Sequence, residues 1–265
     1  MKNIMKNSSV ILIVIASLFI MSCKKKDNTT TPAIQNGALW LHIHTDIDTN
    51  EVDSGMIAMD AYHRHFQLNI GQYYISNIIL NKSDGTTFPC SGVYLLKNIA
   101  TEPYYVDSVP AGNYTSISFT IGLDAATNAR NPTSFLASSV LYTQNPSMWF
   151  GNTSFGYMFM NVQGVADTMA ADTTFVINPA HVNYPFTFQL GADTAARTIN
   201  MPAQPFTVVA GTVQYVHIIG DYSKLFQGIN FSQFALTNGI VTPWTNNSLC
   251  YQINNNIPNM FRYEY

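Results

Sequence analysis

The sequence predicts a mainly β protein: an antiparallel β-sandwich or open barrel-like domain with one or two short helices. Three observations predict it. Apolar and polar residues alternate over short runs from residue 38 onward, the period of a half-buried strand. Turn chemistry rich in Gly, Pro, Asn and Asp separates the runs, and long helical periods are few, a pattern of sandwiches and barrels.

The elements follow in order. Residues 38–45 alternate, with Leu39, Leu41 and Ile43 on one face and Trp40, His42 and His44 on the other. Residues 66–70 and 73–80 read as two strands, and Ser83-Asp84-Gly85 is a hairpin turn. Runs at 93–96, 104–106 and 114–122 come next, the last entered through the turn Pro110-Ala111-Gly112-Asn113. Further runs at 155–162, 173–177, 186–190 and 213–219 bring the total to about ten strands. Residues 132–141 predict one helix, 222–227 a single turn, and 247–255 a C-terminal helix that stops before Pro258. No repeat or shift in composition marks a second domain, so 37–265 reads as one.

Of the 265 residues, 47% are hydrophobic, 13% aromatic and only 10% charged. So much apolar material offsets the entropy of folding and excludes disorder for the bulk of the chain. Twelve basic residues against fifteen acidic ones leave no cationic footprint, which argues against nucleic acid as a partner. A surface made soluble by Asn, Thr, Ser, Gln and Tyr suits an extracytoplasmic protein.

The N-terminus points to the same compartment. Lys2 and Lys6 precede the apolar run 10–21, too short to span a bilayer but suited to a secretory signal. Phe19-Ile20-Met21-Ser22-Cys23 resembles a bacterial lipobox. Residues 1–22 are therefore expected to be a signal peptide, Cys23 the lipidated residue, and 23–36 a flexible tether. The expected address is the outer membrane, facing the periplasm or the cell surface, with the membrane held through the lipid anchor. Cys90 and Cys250 then remain, either as a disulfide in an oxidising compartment or as two thiols.

Four of the six histidines form two His-x-His pairs, His42/His44 and His63/His65. On a strand such residues share a face about 7 Å apart, so two imidazoles can converge on a metal such as copper or zinc; outward polar positions explain them without one. His181 sits in a loop, and His217, which also reads as a core histidine, has no metal-type spacing to either pair. Met158 and Met160 share a strand face, where core packing explains them better than copper(I) ligation. Asp46, Asp48, Glu51 and Asp53 lack the glycine and distal glutamate of a calcium loop and read as solvated. Tyr104, Tyr105, Trp149 and Trp244 suit either sugar stacking or a core. There is no Gly-rich phosphate loop, His-Glu-x-x-His or Gly-x-Ser-x-Gly, so binding is expected rather than catalysis.

Several segments, in order, resemble the MbnP-like domain family: Leu41-His42-Ile43-His44; Tyr73-Tyr74-Ile75-Ser76-Asn77-Ile78 with the strand and turn at 80–85; and Val109-Pro110-Ala111-Gly112-Asn113-Tyr114 with 119–124. Met148-Trp149-Phe150, Gly156-Tyr157-Met158-Phe159 and Asn256-Ile257-Pro258-Asn259-Met260-Phe261 continue it, so that it covers about residues 37–261. The resemblance implies an extracytoplasmic β-rich domain that binds copper, with His44 as the carried-over histidine. It also implies that Trp149 is the tryptophan oxidised to kynurenine by a dihaem peroxidase-like partner. The chain departs from the family pattern at Gln163, where relatives have glutamate, and at Gln189, where they have histidine. His42 and His44, with His63 or His65 as third ligand, are the expected metal site of a lipid-anchored copper-binding protein. The alternative is a metal-free surface lipoprotein that recognises a glycan or a protein.

Overall fold

Alternation along the first strand has the consequence expected of it: Leu39, Leu41 and Ile43 are buried while Trp40, His42 and His44 are partly exposed. The structure, a computed structural model, describes residues 35–47, 49–51, 57–60, 62–100, 102–143, 146–167, 183–231, 240–245 and 247–264. The signal segment, Cys23, the tether through residue 34, Asp48, Asp53, the strand expected at 173–177 and His181 lie outside the described residues.

Fifteen strands are described. They run β1 (Asn36–Ile47), β2 (Asn50–Glu51), β3 (Ile57–Met59), β4 (His65–Lys82), β5 (Thr87–Cys90), β6 (Leu95–Lys97), β7 (Glu102–Pro110) and β8 (Gly112–Ile121). Then come β9 (Met158–Asp167), β10 (Asn183–Gly191), β11 (Arg197–Asn200), β12 (Phe206–Val208), β13 (Val213–Asp221), β14 (Ile240–Val241) and β15 (Phe261–Tyr263). The helices are α1 (Ala125–Asn128), α2 (Tyr222–Leu225) and α3 (Asn247–Asn256).

The strands form two sheets, so the mainly β expectation holds. A five-stranded sheet has the order β15-β13-β1-β2, with β7 also pairing β1. A ten-stranded, curled half-barrel sheet has the order β11-β8-β4-β9-β10-β14, with β12 on β8 and β3, β5 and β6 on β4. Pairing is antiparallel except for β1 with β13 and β10 with β14, which are parallel. The inner face of β1 joins Val216 and Ile218 of β13 and Ile75, Leu80, Phe119, Met160, Phe186 and Phe188 of the larger sheet in one core. Each such burial contributes about 1.5–3 kcal/mol. A smaller cluster gathers Tyr74, Leu123, Leu141, Met148, Tyr157, Met158 and Phe159. Met158 and Met160 are thus core residues.

Two expectations are corrected, and one open alternative is narrowed. The two strands expected at 66–70 and 73–80 are the single 18-residue β4. Gly71 is a point of close approach rather than a break: a Cβ there would lie 2.5 Å from the Tyr222 hydroxyl oxygen. The helix expected over 132–141 shrinks to the 3-10 turn Pro132–Ser134, which Asn131 caps by accepting from the Thr133 N–H at 3.0 Å. Of the two readings of Cys90 and Cys250, the structure has the pair of thiols, both buried. One lies on β5 and the other on α3, each serving as a small apolar core group, and burial pushes both thiols up to about 12.

Lys97 ties the two sheets together. From β6 its fully buried ammonium donates to Thr45 Oγ1 of β1 at 2.8 Å, to the Ala100 carbonyl at 2.8 Å, and to the Asn98 carbonyl. Burial lowers its pKa to about 8, with Glu102 and Glu51 acting in the opposite direction.

Candidate metal centre

The parallel pairing of β1 and β13 builds the site. Its register sets Trp40 against Tyr215, His42 against His217 and His44 against Ile219. Residues paired in register project from the same face of a sheet, so the imidazole of His217 joins those of His42 and His44 on the outer side of the smaller sheet. Ring centroids are 4.5 Å apart for His42 and His44, 4.8 Å for His42 and His217, and 6.0 Å for His44 and His217. One nitrogen from each ring lies within 4.8 Å of the others.

Two carboxylates face the cluster. The Glu264 backbone N–H donates to the His217 carbonyl at 3.3 Å, which carries its side chain onto the site. Its Oε2 lies 3.0 Å from His217 Nδ1 and 3.2 Å from His44 Nε2. Glu51 Oε1 lies 3.4 Å from His44 Nδ1 on the other side of that ring. Asp46, expected in a solvated loop, is instead buried and paired with Arg262 Nη2 at 2.9 Å, binding the end of β1 to β15. Burial raises the Asp46 pKa and Arg262 opposes the rise.

Hydrogen-bond accounting shows what the cluster lacks. A ring nitrogen carries one in-plane proton or one lone pair, never both. His217 Nδ1 nevertheless faces two groups, His42 Nδ1 at 3.2 Å and Glu264 Oε2 at 3.0 Å. His44 Nε2 is buried without a hydrogen bond, since its 3.2 Å approach to Glu264 has ion-pair distance but not hydrogen-bond geometry. A cation among these atoms accepts every lone pair at once. Burial, followed by the neighbouring His44 and His217, lowers the pKa of His42, against Glu264 and Glu51. That direction favours the uncharged ring, the form that ligates a metal. Three imidazoles suit copper, zinc, nickel or iron, so the residues present fit a metal ion.

The structure brings His42 and His44 together as expected and supplies a different third residue. His63 has φ of 59° in the turn before β4, and His65 is the first residue of that strand, opposite Met59. The pair therefore does not share a strand face, and neither residue belongs to the cluster. His217 is the residue that sequence reasoning missed. Its alternation within 213–219 was visible, but not that β13 lies beside β1.

Trp149 belongs to a different neighbourhood. It forms a β-bridge with Tyr157, stacks edge-on against it at 4.8 Å, and packs on the smaller hydrophobic cluster. The tryptophan on the histidine face is Trp40, set between Tyr105 at 5.6 Å and Tyr215 at 6.2 Å. Gln163 donates to Asn161 Oδ1 at 3.0 Å, and Gln189 is the register partner of Asn161. Both departures from the family pattern thus fall on the larger sheet, and the triad stands on the smaller one.

Comparison with known proteins supports one family. The MbnP family model matches residues 36–243. Among solved structures, MbnP from Methylosinus trichosporium is similar, with a TM-score of 0.52 and 14% identity over 75% of this chain and 80% of that one. That identity speaks for the fold alone. No curated protein matches. With the family model covering most of the chain, the protein belongs to the MbnP family.

Proposed function

We propose that this protein binds copper outside the cytoplasm through His42, His44 and His217, in metal binding or acquisition rather than catalysis. The observation that carries the reading is the meeting of three imidazoles, from two strands far apart in sequence, around a buried His44 Nε2 that makes no hydrogen bond. Family membership favours copper among the metals that imidazole accepts. Lipidation at Cys23, retention at the outer membrane and oxidation of Trp149 by a dihaem peroxidase-like partner belong to the same proposal. Intact-mass measurement of the protein recovered from its native membrane reads both modifications.

The test is a copper titration of the purified protein against a competing chelator. The expected result is one copper per chain, with affinity lost in the variant carrying both His42→Ala and His44→Ala and reduced at least about tenfold in His217→Ala. An affinity unchanged by these substitutions rejects the site. The exposed Tyr105 and Tyr215 beside Trp40 favour a second reading, a glycan- or protein-binding face. Retention of a glycan in metal-free buffer, with no specific copper binding, is the result that selects it.

A further inference from the structure

We infer that Glu264 supplies the fourth ligand of the centre, making it a three-histidine, one-carboxylate site selective for a divalent ion, copper(II) or zinc(II), over copper(I). This rests on the metal-binding reading above and adds the class of ion. A tetrahedral site with bonds of about 2.1 Å has ligand–ligand edges of about 3.4 Å. Three contacts already approach that spacing: 3.2 Å from His42 Nδ1 to His217 Nδ1, 3.0 Å from His217 Nδ1 to Glu264 Oε2, and 3.2 Å from His44 Nε2 to Glu264 Oε2. Two of the three edges belong to the carboxylate. The backbone bond from Glu264 to His217 fixes its origin, and its side chain is 41% exposed, leaving it room to adjust as the imidazoles close.

Glu51 has a different part. It lies on the Nδ1 side of His44, where a carboxylate holds the proton on that nitrogen and leaves the Nε2 lone pair facing inward. Glu51 is thus a positioning residue and Glu264 a ligand.

The donor set decides the ion. Copper(I) prefers thiolate and thioether sulfur, whereas a carboxylate oxygen is a hard donor. Met158 and Met160 are committed to the core, and Cys90 and Cys250 are buried protonated thiols. A carboxylate also attracts a doubly charged ion twice as strongly as a singly charged one at the same distance. A groove of about 430 Å³ lined in part by Tyr215, His217, Tyr263 and Glu264 opens beside the cluster and gives an ion a route in.

The experiment compares the protein with its Glu264→Gln variant, which keeps the shape and removes the charge. Affinities for copper(II) and zinc(II) are measured by chelator competition in air, and for copper(I) under reductant. The expected result is a loss of about 10- to 100-fold for both divalent ions and a change within about twofold for copper(I), with an altered copper(II) EPR spectrum showing that the coordination changed. An unchanged divalent affinity and spectrum, or an equal loss for copper(I), overturns the role of Glu264 while the triad stands. If the unsubstituted protein binds none of these ions, the metal-binding reading itself fails.

Discussion

Replacing Lys97 by methionine removes a buried charge that joins the two sheets, and the effect shows in the pH dependence of stability. The depressed pKa, about 8, lies about 2.5 units below that of an exposed lysine, equivalent to about 3.4 kcal/mol. Below about pH 8 both states carry the proton and the folded state bears the full cost of burying it. As pH rises through 8 the folded protein releases the proton while the unfolded chain keeps it until about 10.5, so stability rises across that window. Integration gives a gain of about 1.4 kcal/mol between neutral pH and about pH 9. Cys90 and Cys250 act in the opposite sense, because their folded pKa values are raised; each subtracts about 0.4 kcal/mol by about pH 9. Lys97→Met retains the thiols and loses the lysine, so the difference between the two proteins isolates it. At neutral pH the substitution orphans the Asn98 and Ala100 carbonyls, at about 1–3 kcal/mol each, against relief of the buried charge; the two nearly balance. The assay is urea denaturation of both proteins from about pH 7 to about pH 9. Parallel curves refute the reasoning, and mean that the surrounding oxygens hold the proton despite burial.

Two further outcomes follow from the same geometry. Trp40 lies two residues from His42 on the same strand face, so copper(II) added to the protein quenches tryptophan fluorescence, and Trp40→Phe abolishes most of the quenching; quenching that persists undiminished places the bound ion elsewhere. Cys90 and Cys250 are buried with pKa values near 12, so a maleimide labels neither in the native protein and both in denaturant; a disulfide between them would appear instead as resistance to labelling until reduction.

The readable part of the fold was whatever lies in short-range pattern. The inward Leu39, Leu41 and Ile43 and outward His42 and His44 follow from a period of two, and the C-terminal helix before Pro258 follows from a breaker. His217 was legible only as an outward or inward member of its own strand. Its partnership with His42 depends on a parallel pairing across 175 residues, which leaves no local trace in either segment. His63 misled for the converse reason. The same-face rule holds only within extended backbone, and a left-handed residue in a turn breaks it. That 66–70 and 73–80 are one strand was hidden for a similar reason, since the space at Gly71 is taken by Tyr222 from far along the chain. Asp46 looked like part of a soluble acidic cluster because Arg262, its partner, lies 216 residues away.

The parallel seam between β1 and β13 has a further consequence. It sets the first described strand beside one of the last, so an ion held by His42 and His217, as proposed above, would act as a clasp closing a loop that contains β2 through β12. Such long loops are the ones whose closure restricts the unfolded chain most. During synthesis such a clasp could not fasten until β13 had emerged and docked, so metal loading would report a finished fold. Once fastened, it would couple stability to supply: each tenfold rise in free metal above the dissociation constant would add about 1.4 kcal/mol to the folded state.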